Sequence, residues 1–218
     1  MKKQERYNLA LQELNEMFPD AKTELENDSP FHLLVAVILS AQCTDKRVNM
    51  VTPELFKRYP YPQDMADSSE EEIFGYIKSI SYPNSKAKYL KNTAKRLVEV
   101  YNGEVPSDIN ELQTLQGVGR KTANVIASVV FNQATMPVDT HVHRVSRRIG
   151  LTSNAKTVRQ TEEQLMSNIP KNNVALLHHQ LILLGRYICK ARKPECDKCS
   201  LTLCCKFFNQ KNKKSKEI

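Results

Sequence analysis

Residues 115–130 read LQGVGRKTANVIASVV. Val125, Ile126, Val129 and Val130 recur with helical spacing and give a helix an inward face. The turn before it holds Gly117 and Gly119, and Ser107 is placed to cap a short helix running to Leu115. Two helices joined through Gln116, Gly117, Val118 and Gly119 make a helix-hairpin-helix over about residues 107–131. Both glycines are free to take positive φ, which turns backbone N–H groups outward at a helix N-terminus, a seat for phosphate. A tight structural turn needs the same glycines. The adjoining Arg120 and Lys121 favour a DNA backbone, with Gly117, Val118, Gly119 and Arg120 as its contacts.

Lys121 stands in the first turn, where the helix end repels a cation by about 0.3–1 kcal/mol. A lysine that needs only water gains nothing there. The positive helix end, Arg120 and partial burial would each favour the neutral amine, which is a nucleophile. A phosphate contact explains the residue equally well on this segment alone. Asp139 lies eighteen residues further on, in PVDTHVHRVSRRIG, ahead of a helix whose inward face is Val142, Val145 and Ile149. As an N-cap it is worth about 1 kcal/mol; as a carboxylate near an amine it would accept a proton or steady a cationic transition state.

Helical spacing runs through nearly all 218 residues and no period-two strand stands out, so the fold class is all-α. Tyr7, Leu11, Leu14 and Phe18 form one stripe, stopped by Pro19. Ile73, Ile77 and Ile80 follow the candidate caps Ser68 and Ser69, and Leu90, Ala94, Leu97 and Tyr101 end at Asn102-Gly103. Val174, Leu177, Leu181, Leu184 and Ile188 lead to Cys189. FHLLVAVILSAQ, residues 31–42, is apolar nearly all round and reads as a helix buried in the middle of the fold. The next segment is one helix or two, depending on Pro53.

With 32 Lys and Arg against 24 Asp and Glu, the net charge of +8 favours a polyanion as partner. The basic N-terminus lacks the apolar run of a signal peptide, and the longest apolar run, residues 33–39, is too short to span a membrane. A cytoplasmic protein with no membrane partner is expected. Five of the six cysteines crowd into residues 189–205, a pattern for metal rather than for a secreted disulfide framework. Cys189, Cys196, Cys199 and Cys205 are spaced C-x6-C-x2-C-x5-C, and spacing alone does not separate zinc from an iron–sulfur cluster. Lys190, Arg192 and Lys193 lie between the first two and suit a phosphate contact from a metal-pinned loop. Residues 211–218, KNKKSKEI, read as a frayed basic tail.

LQGVGRKTANVI, PVDTHVHRV, PFHLLVAVILSAQCTD, NSKA and HHQLILLGRYIC, followed by the cysteine run, together resemble the endonuclease III family of base-excision DNA glycosylases with abasic-site lyase activity. The resemblance spans residues 8–205. It implies a two-lobed all-helical glycosylase fold, with a six-helix barrel lobe at residues 23–133 and an iron–sulfur lobe at residues 1–22 plus 134–207, ahead of the tail at 208–218. It implies Lys121 as nucleophile, Asp139 as the essential carboxylate and a [4Fe-4S] cluster on Cys189, Cys196, Cys199 and Cys205. The x5 spacing selects Cys205 over its neighbour Cys204. The family fills the gap left by an extruded base with a glutamine and an apolar residue, which fall on Gln42 and Tyr82. Here Ser81 replaces the usual glycine and Pro83 follows, so the second turn departs from the family pattern. His141 matches a phosphate or site contact, His143 packs or faces solvent, and His178 and His179 are structural.

The implied activity is removal of oxidised or saturated pyrimidines from duplex DNA carrying a damaged base or abasic site, by a monomer, nucleoid-associated if bacterial. Two other functions are weighed against it. An adenine mismatch glycosylase would not need Lys121, and a non-catalytic DNA-binding module with a metal loop would need neither Lys121 nor Asp139.

Overall fold

A computed structural model describes residues 1–214, which form two compact units: 1–22 with 133–214, and Thr23–Asn132. All regular structure among the described residues is helical. Helix α1 (Lys3–Met17) buries Tyr7, Ala10 and Leu14, and Phe18 closes it ahead of Pro19.

The second unit begins with α2 (Pro30–Ser40), capped by Ser29, whose side chain accepts the His32 N–H. Every residue from Phe31 to Leu39 is buried, His32 included, as the nearly all-round apolar character of the helix requires. Helix α3 (Asp45–Arg58) runs through Pro53 as a single helix behind the Thr44 cap. Pro53 is exposed, so the hydrogen bond it removes faces water. Helix α4 (Pro62–Asp67) and α5 (Glu70–Ile77) pack against α6 (Pro83–Tyr101). Ser69 alone caps α5, while Ser68 turns inward to the Tyr59 hydroxyl at 2.8 Å. Asn102 and Gly103 end α6 at φ +52° and +81°.

The hairpin consists of α7 (Ile109–Leu112) and α8 (Arg120–Val129). The first cap differs from the sequence expectation: Asp108, not Ser107, accepts from the Asn110 and Glu111 N–H groups at 2.7 and 3.1 Å. A carboxylate answers the positive helix end better than a hydroxyl. Helix α7 also stops at Leu112 rather than Leu115, because the chain tightens into three-residue turns from Thr114 to Val118. Gly117 adopts φ +76°, and a Cβ on it would lie 3.1 Å from the Tyr89 ring. Gly119 instead caps α8 in extended backbone at φ −86°, so only one glycine of the pair needs the left-handed region.

The first unit resumes with α9 (Thr140–Ile149), α10 (Val158–Met166) and α11 (Val174–Leu183), which continues as a π-helical turn, Leu184–Ile188. Here Gly185 lets α9 approach: a Cβ would meet the His141 Cβ at 2.9 Å and Val145 at 3.0 Å. Tyr7 of α1 donates to the Leu151 carbonyl at 2.8 Å from a fully buried position. The last helix, α12 (Lys206–Lys214), occupies much of the stretch expected to be a frayed tail; residues 215–218 lie outside the described residues.

Gly117→Ala places a side chain at positive φ against an aromatic ring and should cost about 1–2 kcal/mol in denaturant unfolding. Gly185→Ala wedges α9 from the π-turn and should cost about 1–3 kcal/mol. Gly119→Ala, with no atom near its Cβ and no positive φ, serves as the mild control in the same unfolding series.

Candidate functional site

Three groups of sequence-predicted residues take shape within the two units. In the second unit the hairpin turn carries Gly117, Gly119, Arg120 and Lys121, all exposed. Val118 does not belong with them: its side chain is buried, and its N–H donates to the Leu115 carbonyl at 3.2 Å. Only a backbone carbonyl is left to it, which suits no phosphate. Lys121 is exposed rather than partly buried, because the first turn of α8 projects away from the apolar face formed by Ala123, Ile126 and Ala127.

The same unit brings Gln42 and Tyr82 together. Gln42 follows the end of α2 at φ +55°, and Tyr82 precedes α6 at φ +56°; both are exposed. Non-glycine residues rarely hold this conformation, at a cost of roughly 1–3 kcal/mol each. Tyr82 is the more strained, since proline disfavours α-type backbone in the residue before it. Pro83 itself sits comfortably at the first position of α6. The Ser81 hydroxyl donates to the Gln42 carbonyl at 2.8 Å, a bond that the family's glycine has no atom to make. An open pocket of about 290 Å³ is lined by Gln42, Tyr82, Lys86, Tyr89 and Gly117 among others.

Lys86 is a residue the sequence analysis passed over. Only 4% exposed, it donates from Nζ to the Leu39 and Ala41 carbonyls, each at 2.7 Å. Burial lowers the pKa of this amine, and the nearby Cys43 pushes it the other way. The signal was present: Lys86 falls four residues before Leu90, on the inward stripe of its helix.

In the first unit, Asp139 is the N-cap of α9, its Oδ1 accepting the Val142 N–H at 2.8 Å. His141 is half-buried, and Arg144 donates to its Nδ1 at 3.2 Å, an arrangement that puts the ring proton on Nε2. The Arg144 guanidinium reaches on to the carbonyls of Gly185 and Cys189 at 2.8 and 3.3 Å. Burial and the neighbouring Arg148 lower its pKa, while Cys189 and Asp139 raise it. His143 packs, with Nδ1 at 2.8 Å from the Thr161 hydroxyl.

Cys189, Cys196, Cys199 and Cys205 line one small apolar cavity with Ile149, Leu184 and Leu201. Cys204 does not: it is buried in the core of the unit, its thiol directed to the Leu201 carbonyl at 3.4 Å. Burial pushes the thiols of Cys199 and Cys204 up to about 11 and raises that of Cys205. For four thiols around a common space, a bound cation would remove that penalty by holding them as thiolates. Among the described residues none of the His, Cys, Asp and Glu groups is drawn close enough for a single ion. The four thiols and the cavity they line are a donor set suited to metal.

Arg148, also unforeseen, holds the loop after Cys189. It donates to the carbonyls of Lys190 and Ala191 at 2.7 and 2.9 Å, lies 3.5 Å from the Cys189 sulfur and covers the Phe207 ring at 4.8 Å. Two arginines four apart on one helix were the readable hint. Of the three loop cations, Arg192 and Lys193 are exposed, with Lys193 at φ +50°. Lys190 is less free than expected, because it is paired with Glu195, which also takes Lys198 at 2.8 Å. These two lysines hold the Glu195 carboxyl down at about 2. Their contribution to the loop is complete above the ordinary carboxylate range and is lost only as pH falls through about 2.

Comparison with known proteins agrees with this architecture. Residues 35–171 match the HhH-GPD superfamily of base excision DNA repair proteins. Endonuclease III of Bacillus subtilis (strain 168) is 46% identical over 204 residues, covering 94% of this chain and 93% of the relative. Endonuclease III of Escherichia coli (strain K12) is 44% identical over 197 residues, covering 90% and 93%. A trapped endonuclease III–DNA covalent intermediate superposes with a TM-score of 0.91 at 44% identity, covering 97% of this chain and all of that one. A thermostable thymine-DNA glycosylase, at 22% identity and TM-score 0.86, shares the fold. No helix among the described residues is long and apolar enough to cross a membrane. By fold, hairpin and extent of identity, the chain belongs to the endonuclease III family of the HhH-GPD superfamily, DNA glycosylases with abasic-site lyase activity that act in base excision repair.

Proposed function

We propose that the protein removes oxidised or saturated pyrimidines from double-stranded DNA and nicks the resulting abasic site, as a cytoplasmic monomer working on the nucleoid in a bacterial host. The observation that carries the reading is the placement of Lys121, an exposed amine in the first turn of α8, directly after a glycine turn suited to phosphate. Its desolvation comes with the DNA, since the free protein leaves it in water.

In this reading the Lys121 Nζ, as the free amine, attacks C1′ while the bond from C1′ to the base breaks and the base leaves with a proton. The sugar ring opens to a Schiff base on Nζ. Loss of a proton from C2′ then expels the 3′-phosphate, and water returns the lysine. Asp139 assists proton transfer and steadies the cationic sugar. Gly117, Gly119, Arg120 and the exposed Arg192 and Lys193 hold phosphates, with Lys190 contributing once released from Glu195. His141 offers its Nε2–H. Gln42 and Tyr82 enter the stack where the base has left, at a cost of a few kcal/mol that damaged pairs reduce.

Cys189, Cys196, Cys199 and Cys205 would hold a [4Fe-4S] cluster, supported by the cavity they share and by the exclusion of Cys204 from it. When bound, the cluster supplies rigidity to the loop that carries Arg192 and Lys193.

Borohydride trapping on abasic DNA tests the nucleophile: Lys121→Gln should lose the covalent adduct, and undiminished trapping would remove the assignment. Asp139→Asn separates chemistry from capping, since asparagine caps as well as aspartate. Its unfolding midpoint should stay near wild type while excision from a thymine-glycol duplex falls by about 10²-fold or more. Equal loss of stability and activity would reduce Asp139 to a cap. Iron and sulfide content should collapse in Cys205→Ser and persist in Cys204→Ser; the reverse would exchange the two ligands, and zinc in the purified protein would replace the cluster reading altogether.

A further inference from the structure

Helix α6 reaches three turns of the second unit: those at Gln42 and Tyr82 and the hairpin turn. Tyr82, Lys86, Tyr89 and Thr93 follow at steps of four, three and four, so they lie along one face. At one end of that face Lys86 holds the Leu39 and Ala41 carbonyls at 2.7 Å, the last turn of α2 immediately before Gln42. Ser81, just before the helix, holds the Gln42 carbonyl at 2.8 Å. At the other end the Tyr89 ring fills the space beside Gly117, and Thr93 and Asn92 bond the carbonyl and side chain of Gln116 at 2.8 and 2.9 Å. One rigid helix thus touches both turns of the wedge pair and the hairpin turn.

The chemistry of Lys86 is unusual for a residue with only a packing role. An ammonium taken out of water without a carboxylate partner is costly, and a methionine of similar shape would avoid that cost. What the ammonium supplies is direction: three N–H donors on a tetrahedral nitrogen, two of them fixed on the Leu39 and Ala41 carbonyls at the end of α2. The residue after that helix end, Gln42, is held at φ +55°, and the residue before α6, Tyr82, at φ +56°. Two strained residues persist only where their surroundings over-determine them.

We propose that Lys86 is a positioning residue for base extrusion: with the Ser81 hydroxyl, it locks the Gln42 and Tyr82 turns into one double wedge, set at a fixed distance from the hairpin turn by helix α6. The inference rests on the reading of Gln42 and Tyr82 as the residues that enter the stack. It makes opening of the duplex a consequence of seating the phosphates, because the wedge and the anchor belong to one rigid body. Ser81 gives this chain a fastening between the two turns that a glycine could not provide.

The test separates opening from binding and from chemistry. The probe is a duplex holding a tetrahydrofuran abasic analogue opposite 2-aminopurine, which fluoresces when unstacked and cannot form a Schiff base. Wild-type protein should raise the fluorescence at saturation. Lys86→Met should bind with a dissociation constant within about threefold of wild type yet give a rise reduced about threefold or more. Lys86→Arg should restore part of the rise. Ser81→Ala, which removes a single bond at a half-exposed position, should lower it in the same direction without shifting the melting temperature. A full rise in both Lys86→Met and Ser81→Ala would overturn the proposal. So would a parallel fall of fluorescence, affinity and melting temperature in Lys86→Met with no effect in Ser81→Ala, which marks a purely structural lysine. Tyr82→Ala and Gln42→Ala, measured alongside, locate any failure: a full rise in both removes the wedge reading itself, whereas loss there with retention in Lys86→Met removes only the positioning role.

Discussion

A helix leaves its last carbonyls without partners, and in this protein the end of α2 is closed by a cation from another helix, the buried Lys86. The arrangement is favourable twice over. The negative end of the helix attracts the ammonium, and its carbonyls satisfy two donors that would otherwise be stranded in the core. Because α2 is apolar on nearly every side, its path is fixed by packing, and the Lys86 contacts close its end. Gln42 follows that junction directly, and its carbonyl accepts the Ser81 hydroxyl.

The other unit solves a similar problem with arginine. The loop after Cys189 has few apolar residues of its own and exposes its backbone, so packing does not order it. Arg148 and Arg144 supply donors to the carbonyls of Gly185, Cys189, Lys190 and Ala191, and the planar guanidinium of Arg148 rests on Phe207. Gly185 makes this reach feasible by letting the π-turn lie against α9. Asp139 opens and Arg148 nearly closes the same helix, so the proposed catalytic carboxylate and the cysteine loop share one element within this unit.

Charge is placed with equal economy. The helix end at Asp139 receives a carboxylate, as does the one at Asp108, whereas α8 begins on Gly119 with no capping side chain and two cations. A glycine N-cap gives up only about a few tenths of a kcal/mol against a polar cap, so this ending is tolerated at little cost.

Much of this was legible in the chain itself. Helical periodicity, the Asn102-Gly103 stop, the Ser69 and Asp139 caps, the glycine turn and the cysteine spacing are local signals, because each depends on residues within a turn or two of one another. Tertiary structure alone decided that Asp108 rather than Ser107 caps α7, that Val118 is buried and Lys190 paired, and that Lys121 stands in water. It also revealed Lys86 bonded to carbonyls more than forty residues away in sequence, and Arg148 to a loop equally distant. Periodicity states which face of a helix turns inward; the partner found there depends on which other helix end arrives, and no local pattern encodes that.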